Sequence, residues 1–239
     1  MSTSALMDTE SELYAASALL LSYPRQPWLA ELSQIRAALP PSRAQQLAPL
    51  LDWLEQGGDL IELQERYVET FDSRPSHSLH LFEHIHGQSR DRGPAMVDLR
   101  QEYLAHGLEP DPAELPDYVP LFLEFLARIP AAEARRLLGD AVHVLARLAD
   151  KLAQAGSPYA CVFELLCSLS DVAAQPLAEP AEGEFEESPV EFGPQAGGPQ
   201  AMLRQMNGQP QPVQIYARDP RRQEGRPDSG FRSEGEHHG

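Results

Sequence analysis

His80, Glu83 and His84 stand in the order H-x-x-E-H within the stretch HLFEHIHG. This sets two imidazoles and a carboxylate at the spacing an inverted zinc-hydrolase motif uses on one helical turn. At about 100° per residue, Leu79, Leu81, Phe82 and Ile85 share one arc and His80, Glu83 and His84 the opposite one. The motif is therefore expected to face away from the local apolar stripe, as a metal site, a partner-binding surface or a solvated face would. A zinc hydrolase also needs a third ligand from another helix and an open coordination position. Glu102 and Glu164 are acidic candidates, but with 36 Asp and Glu in the chain an available acid discriminates little. Stoichiometric zinc in the purified protein would mark such an enzyme.

Other chemistries have less support. Lys151 is the only lysine and is followed by Leu152, so no G-K-[ST] phosphate loop can be written, and neither G-x-G-x-x-G nor G-x-S-x-G occurs. The segment GQSRDRG places Arg90, Asp91 and Arg92 between two glycines, where the guanidinium groups could pair locally or meet a carboxylate. Downstream, ELPDYVPLFLEFLARIP sets Asp117 and Tyr118 after Pro116 and before a run that includes Phe122. Asp117 suits the first turn of the following helix. That helix is apolar almost all round, so it is either central to the core or lines a groove.

The elements that must position these residues are helices. Leu60, Leu63, Tyr67, Val68 and Phe71 recur with helical period, as do Leu138, Ala141, Val142, Leu145, Leu148 and Leu152. Ser42 before RAQQLAPLLDWLEQGG, Gly107 after MVDLRQEYLAH, and Ser157-Pro158 before YACVFELLCSLSDVA read as helix boundaries. These signals predict an all-α, bundle-like single domain of about eight helices over residues 1–175, with no strand. Residues 176–239 hold nine Pro and nine Gly and lose apolar periodicity, which predicts a disordered tail, acidic and then mixed.

The net charge of −17 disfavours nucleic acid and anionic membrane and would attract a basic peptide, although solubility alone also accounts for it. Cys161 and Cys167 form neither a C-x-x-C pair nor a disulfide framework. The acidic residues Asp8, Glu10 and Glu12 do not fit a secretory leader, and no apolar run reaches membrane-spanning length. A cytoplasmic location is expected.

The stretch YVETFDSRPSHSLHLFEHIHGQSRDRGPAMVDLRQEYLAHGLEPDPAELPDYVPLFLEFLA, residues 67–127, closely resembles the nitrate reductase assembly chaperones. These belong to the all-helical redox-enzyme maturation chaperones that include TorD and DmsD. The likeness extends more loosely to the flanking helices and to EESPVEFGP, residues 186–194. In the wider family a Pro-Asp-His element contributes to peptide recognition; Pro116 and Asp117 match it, whereas Tyr118 stands where the histidine would be. The resemblance implies a non-catalytic cytoplasmic factor that binds the N-terminal segment of the apo catalytic (alpha) subunit of nitrate reductase. Bis-molybdopterin guanine dinucleotide would then load into that client and not stay with this chain. Molybdenum cofactor biosynthesis proteins are further possible partners. Leu81, Phe82, Glu83, His84, His86, Arg90, Arg92, Asp117, Tyr118 and Phe122 become the candidate partner-binding residues, and the H-x-x-E-H match reads as part of a client surface. A zinc hydrolase and a permanent subunit of a membrane oxidoreductase remain the alternatives.

Overall fold

The computed structural model describes residues 10–26, 31–87, 89–177 and 215–217. Among them are nine α-helices: α1 (Glu10–Leu20), α2 (Leu32–Ala38), α3 (Pro41–Gln56), α4 (Leu60–Phe71), α5 (Leu81–His86), α6 (Arg92–Ala105), α7 (Val119–Leu126), α8 (Ala131–Gln154) and α9 (Ala160–Ser168). A 3-10 turn spans Pro75–His77. The all-α expectation holds. Its boundary details shift: α3 starts at Pro41 with Pro40 as cap residue, which leaves Ser42 inside the helix, and α9 starts at Ala160, two residues beyond the expected proline. Gly107 does end α6, at φ +74°, a conformation that costs glycine little.

The 24 residues of α8 give a rod of about 36 Å at 1.5 Å per residue. Its buried face, including Leu138, Val142, Leu145, Leu148 and Leu152, repeats at helical spacing and packs against α9, α7 and α5. Helix α9 reaches across to α3, and α7 lies against α1. Seven of the eight residues of α7 are buried, which settles its expected alternatives: it is a central core helix and not a groove wall. One continuous apolar cluster joins all these helices, as a single domain requires.

In α4 the buried stripe is Leu63, Tyr67 and Phe71, at i, i+4 and i+8, while Val68, expected on that stripe, lies outside it. Asp59 caps the helix by accepting hydrogen bonds from the amides of Ile61 and Glu62 at 2.9 and 3.0 Å. The helix is thereby fixed in rotation, with Tyr67 turned inward towards the residues discussed below.

A two-stranded sheet departs from the expectation of no strand. β1 (Leu108–Pro110) pairs antiparallel with β2 (Ile215–Ala217), Leu108 opposite Ala217 and Pro110 opposite Ile215. Three-residue strands are too short for alternation to register, and the partners are remote in sequence. The reading of residues 176–239 as a disordered tail otherwise falls, for 178–214 and 218–239, outside the described residues. At the domain edge, the amide of Gln175 donates to His143 Nδ1 at 2.9 Å and Leu177 packs on the core. A chain ending at Leu177 is therefore expected to unfold in one cooperative transition. Its melting temperature should fall only a few degrees, since about 1 kcal/mol corresponds to roughly 2–4 °C in a domain of this size. Calorimetry on the truncated chain checks this, and a broad non-cooperative melt would show that the tail is part of the fold.

Candidate functional site

The segment before α5 and the segment before α7 lie side by side. Leu81 N–H donates to the Asp117 carbonyl at 3.0 Å and Val119 N–H to that of Leu79 at 2.8 Å, so His80 and Tyr118 stand opposite each other as an isolated antiparallel bridge. Their rings are 5.5 Å apart. This pairing brings the two motifs of the sequence together across 37 residues.

Asp117 is the centre of the arrangement. Its side chain is fully buried, yet it is not the first-turn acid of its own helix α7. One carboxylate oxygen accepts Phe82 N–H at 3.0 Å, capping α5, and the other accepts His80 Nδ1–H at 3.1 Å. The Arg92 guanidinium approaches to 3.9 Å while also pairing with Glu83 at 3.1 Å. A buried carboxylate costs several kcal/mol unless it is paired and hydrogen-bonded. Here an imidazole, a guanidinium and an amide supply that compensation from three directions.

Two chains of hydrogen bonds brace this centre from behind. Tyr103 Oη donates to the Pro116 carbonyl at 2.6 Å. Tyr67 Oη donates to the Leu21 carbonyl at 2.8 Å, so Tyr118 Oη, 3.1 Å away, is the donor to Tyr67. Burial pushes the Tyr118 phenol up to about 12 and Tyr67 well above its usual range, so both remain protonated donors near neutrality.

The residues expected to form one client-facing surface divide between core and surface. Leu81, His84, Asp117 and Phe122 are buried, and Tyr118 is half-buried with its hydroxyl bonded inward to Tyr67. Phe82, Glu83, His86 and Arg92 are half-buried at the outer face, and Arg90 is exposed. The wheel placement of His84 is corrected: it is buried and Ile85 is exposed, the reverse of the expectation. The cause is the short helix, which begins only at Leu81 with His80 as an extended cap residue, so its phase is set by the Asp117 cap and not by the preceding Leu79.

The same geometry bears on the metal motif. His80 lies outside the helix and gives Nδ1–H to Asp117, His84 Nε2–H donates to the Ser78 carbonyl at 2.8 Å, and the Glu83 carboxylate is paired with Arg92. The three groups do not share a helical turn, as zinc ligation by H-x-x-E-H requires. Among the described residues, no group of three or more His, Cys, Asp or Glu is arranged to hold a metal ion.

His84 is held below the ordinary imidazole value of 6.5, chiefly by burial, with Arg147 and His80 acting in the same direction and the Ser78 hydrogen bond opposing them. The folded chain therefore resists a proton that the unfolded chain accepts, and stability should fall as pH drops through 6.5 towards the folded value. His106, beside the Glu102 carbonyl and the Glu133 carboxylate, is shifted upward and has the opposite sign: its contribution is present below 6.5 and is lost as pH rises through its folded value. Comparing wild type with His84→Gln cancels the His106 effect. The wild type is expected to lose more melting temperature between pH 7.5 and about 5.5 than the variant, whose amide can still donate to Ser78. Parallel pH profiles would refute this assignment.

With the fold and this centre described, the chain can be set beside known proteins. The sequence profile described as "Nitrate reductase delta subunit" matches residues 36–164, more than half of the chain. The chain belongs to the nitrate reductase delta subunit family. The chain is similar to the nitrate reductase molybdenum cofactor assembly chaperone NarJ of Escherichia coli (strain K12), 43% identical over 148 residues, covering 56% of this chain and 63% of that protein. The match thus spans just under two thirds of that relative. A protein named as the probable counterpart in Bacillus subtilis (strain 168) is 31% identical over 172 residues, covering 70% of this chain and 94% of its own length. A crystal structure from Archaeoglobus fulgidus, assigned by name to the redox enzyme maturation proteins, shares the fold with a TM-score of 0.52 at 21% identity, covering 68% of this chain and 94% of that one. By their names, these two relatives are assembly chaperones. The matched span contains the whole Asp117 centre, from His80 to Phe122.

Proposed function

We propose that this chain is a maturation chaperone for a respiratory nitrate reductase. It binds the apo catalytic subunit through that subunit's N-terminal segment and keeps it open for insertion of bis-molybdopterin guanine dinucleotide. It then leaves before the subunit docks on its membrane anchor. The observation that carries this reading is the 43% identity over 148 residues to an assembly chaperone, beside a family profile whose match, residues 36–164, takes in the Asp117 centre. The cofactor is cargo destined for the client, and cofactor biosynthesis proteins are the natural further partners. The work is cytoplasmic, in keeping with described helices of which none is long and apolar enough to cross a membrane.

In this reading the buried part of the centre is scaffold and the exposed part is surface. Asp117, His80 and Arg92 fix the start and orientation of α5. Phe82, Glu83, Ile85 and His86 then project from a rigid turn, with Arg90 on the adjoining loop. A short helix held by non-local bonds presents side chains with little ordering cost on binding.

Co-expression with the catalytic subunit tests the proposal. The chain should be recovered with the subunit before cofactor loading and should be absent from the assembled enzyme, and without it the subunit should contain little molybdenum. Stable retention in the mature membrane complex would favour a permanent subunit and overturn the chaperone reading.

A further inference from the structure

The connection between α6 and α7, residues 106–118, carries Asp117 to its place. At its start His106 pairs with Glu133 of α8, and near its end Tyr103 Oη holds the Pro116 carbonyl from α6. Between these points lie local turns. Asp111 accepts from the amide of Ala113 through its side chain at 2.9 Å and from that of Glu114 through its carbonyl at 3.0 Å, and Tyr118 N–H donates to the Leu115 carbonyl at 3.1 Å. Turns of this kind shape a connection without fixing where it lies. Ahead of them runs β1, where Leu108 and Glu109 are half-buried and Pro110 is buried, so the backbone of this stretch needs hydrogen-bond partners. It finds them in β2, which arrives from the far end of the chain.

The ladder has one allowed phase. Opposed residues of an antiparallel pair alternate between those that exchange both backbone hydrogen bonds and those that exchange none. Pro110 has no N–H to give, so it and Ile215 are a pair of the second kind. The same then holds for Leu108 and Ala217, and Glu109 and Tyr216 are the pair that exchanges two bonds. β2 also lies against α7. It therefore touches the connection where it leaves α6 and the helix into which it leads, and it spans the segment that ends in Asp117. A pair of three-residue strands has little stability alone, so β2 is placed to come and go without unfolding the domain.

We propose that residues 215–217 are a releasable strap: by adding a strand to β1 they hold the α6–α7 connection, and through it the Asp117 cap on α5, in place. Release of β2 frees β1, and the slack passes along the turns to the carboxylate that accepts Phe82 N–H. The strap does not rest on the chaperone reading above. Within that reading it sets how firmly Phe82, Glu83, Ile85 and His86 are presented.

Hydrogen exchange on the full chain reads the strap. Tyr216→Pro removes a ladder donor and should speed exchange about tenfold at Glu109 and about threefold or more at Leu81 and Phe82, whose amides donate to the Asp117 carbonyl and carboxylate. Ala217→Pro, one residue on, puts its ring where the N–H points away from β1 and should leave exchange near wild type. Melting temperatures should stay close to wild type in both. Disulfide trapping tests the pairing independently. In a pair that exchanges no hydrogen bonds the Cα atoms stand about 4.5 Å apart, within disulfide reach. Leu108→Cys with Ala217→Cys should close an intramolecular disulfide on mild oxidation, and the shifted pair Leu108→Cys with Ile215→Cys should not. Burial pushes the native thiols of Cys161 and Cys167 up to about 11, so they compete poorly. With the disulfide closed, Tyr216→Pro should no longer speed exchange at Leu81 and Phe82.

Exchange at Leu81 and Phe82 that Tyr216→Pro leaves unaltered, or that Ala217→Pro raises as much, would overturn the inference. So would a disulfide that forms as readily in the shifted pair as in the matched one. Oxidation of the matched pair to a covalent dimer would make β2 a strand exchanged with a second copy, and would likewise overturn it.

Discussion

Asp117→Ala is expected to destabilise the chain by about 3–5 kcal/mol, because it removes the buried acceptor that serves Phe82 N–H and His80 and faces Arg92. At roughly 2–4 °C per kcal/mol, the melting temperature should fall by about 10 °C. Asp117→Asn should be milder, at about 1–3 kcal/mol. Its oxygen still accepts from Phe82, and His80 and Arg92, each about a quarter exposed, can turn towards water. The structure supplies a cation from within the chain, the Arg92 guanidinium. Hydrogen exchange should show the lost protection concentrated in α5, whose N-terminus Asp117 caps. Equal, small effects of Ala and Asn with α5 protection intact would refute this role. Where the variants remain folded, weakened client binding would act through α5, since Asp117 itself has no exposed surface to offer.

A loss of similar size is expected at Tyr159. Its ring is fully buried among Trp53, Tyr67 and Phe71, with centroid distances of 5.7, 6.3 and 4.8 Å. Removing it in Tyr159→Ala opens a cavity at the junction of α3, α4 and α9, for which about 3–5 kcal/mol is the usual cost. Tyr159→Phe is the informative companion. The hydroxyl is buried and has no hydrogen-bond partner among the described residues, so deleting it should change stability by less than about 1 kcal/mol in either direction. Denaturant unfolding of the two variants separates ring from hydroxyl. A Phe variant as damaged as the Ala variant would mean that the hydroxyl is bonded after all.

Some of this was legible in local pattern. The stripe on α8 was readable because a 24-residue helix repeats its apolar face many times and the phase cannot slip. Gly107 ended α6 as expected because a left-handed residue after a helix is a local requirement. In α4 the pattern was wider than the true contact: Val68 fits the period as well as Tyr67 does, and only packing showed which of the two faces the core. Ile61 lies off the stripe, with Glu65 and Val68 on its side of the helix.

The residues of the H-x-x-E-H match show where sequence reasoning stops. Sequence by itself determined an acidic, all-helical chain without the motifs of nucleotide or serine chemistry, and residues 67–127 carried the family likeness, because composition, period and motif are written along the chain. Only the tertiary structure decided what His80, His84 and Asp117 do. A helix of six residues has too few turns to fix its own rotation. The phase of α5 comes instead from a carboxylate 35 residues away in sequence, bonded to Phe82 N–H across the bridge between His80 and Tyr118. That contact turns His84 inward and Ile85 outward, with the Asp117 carboxylate itself buried beneath them.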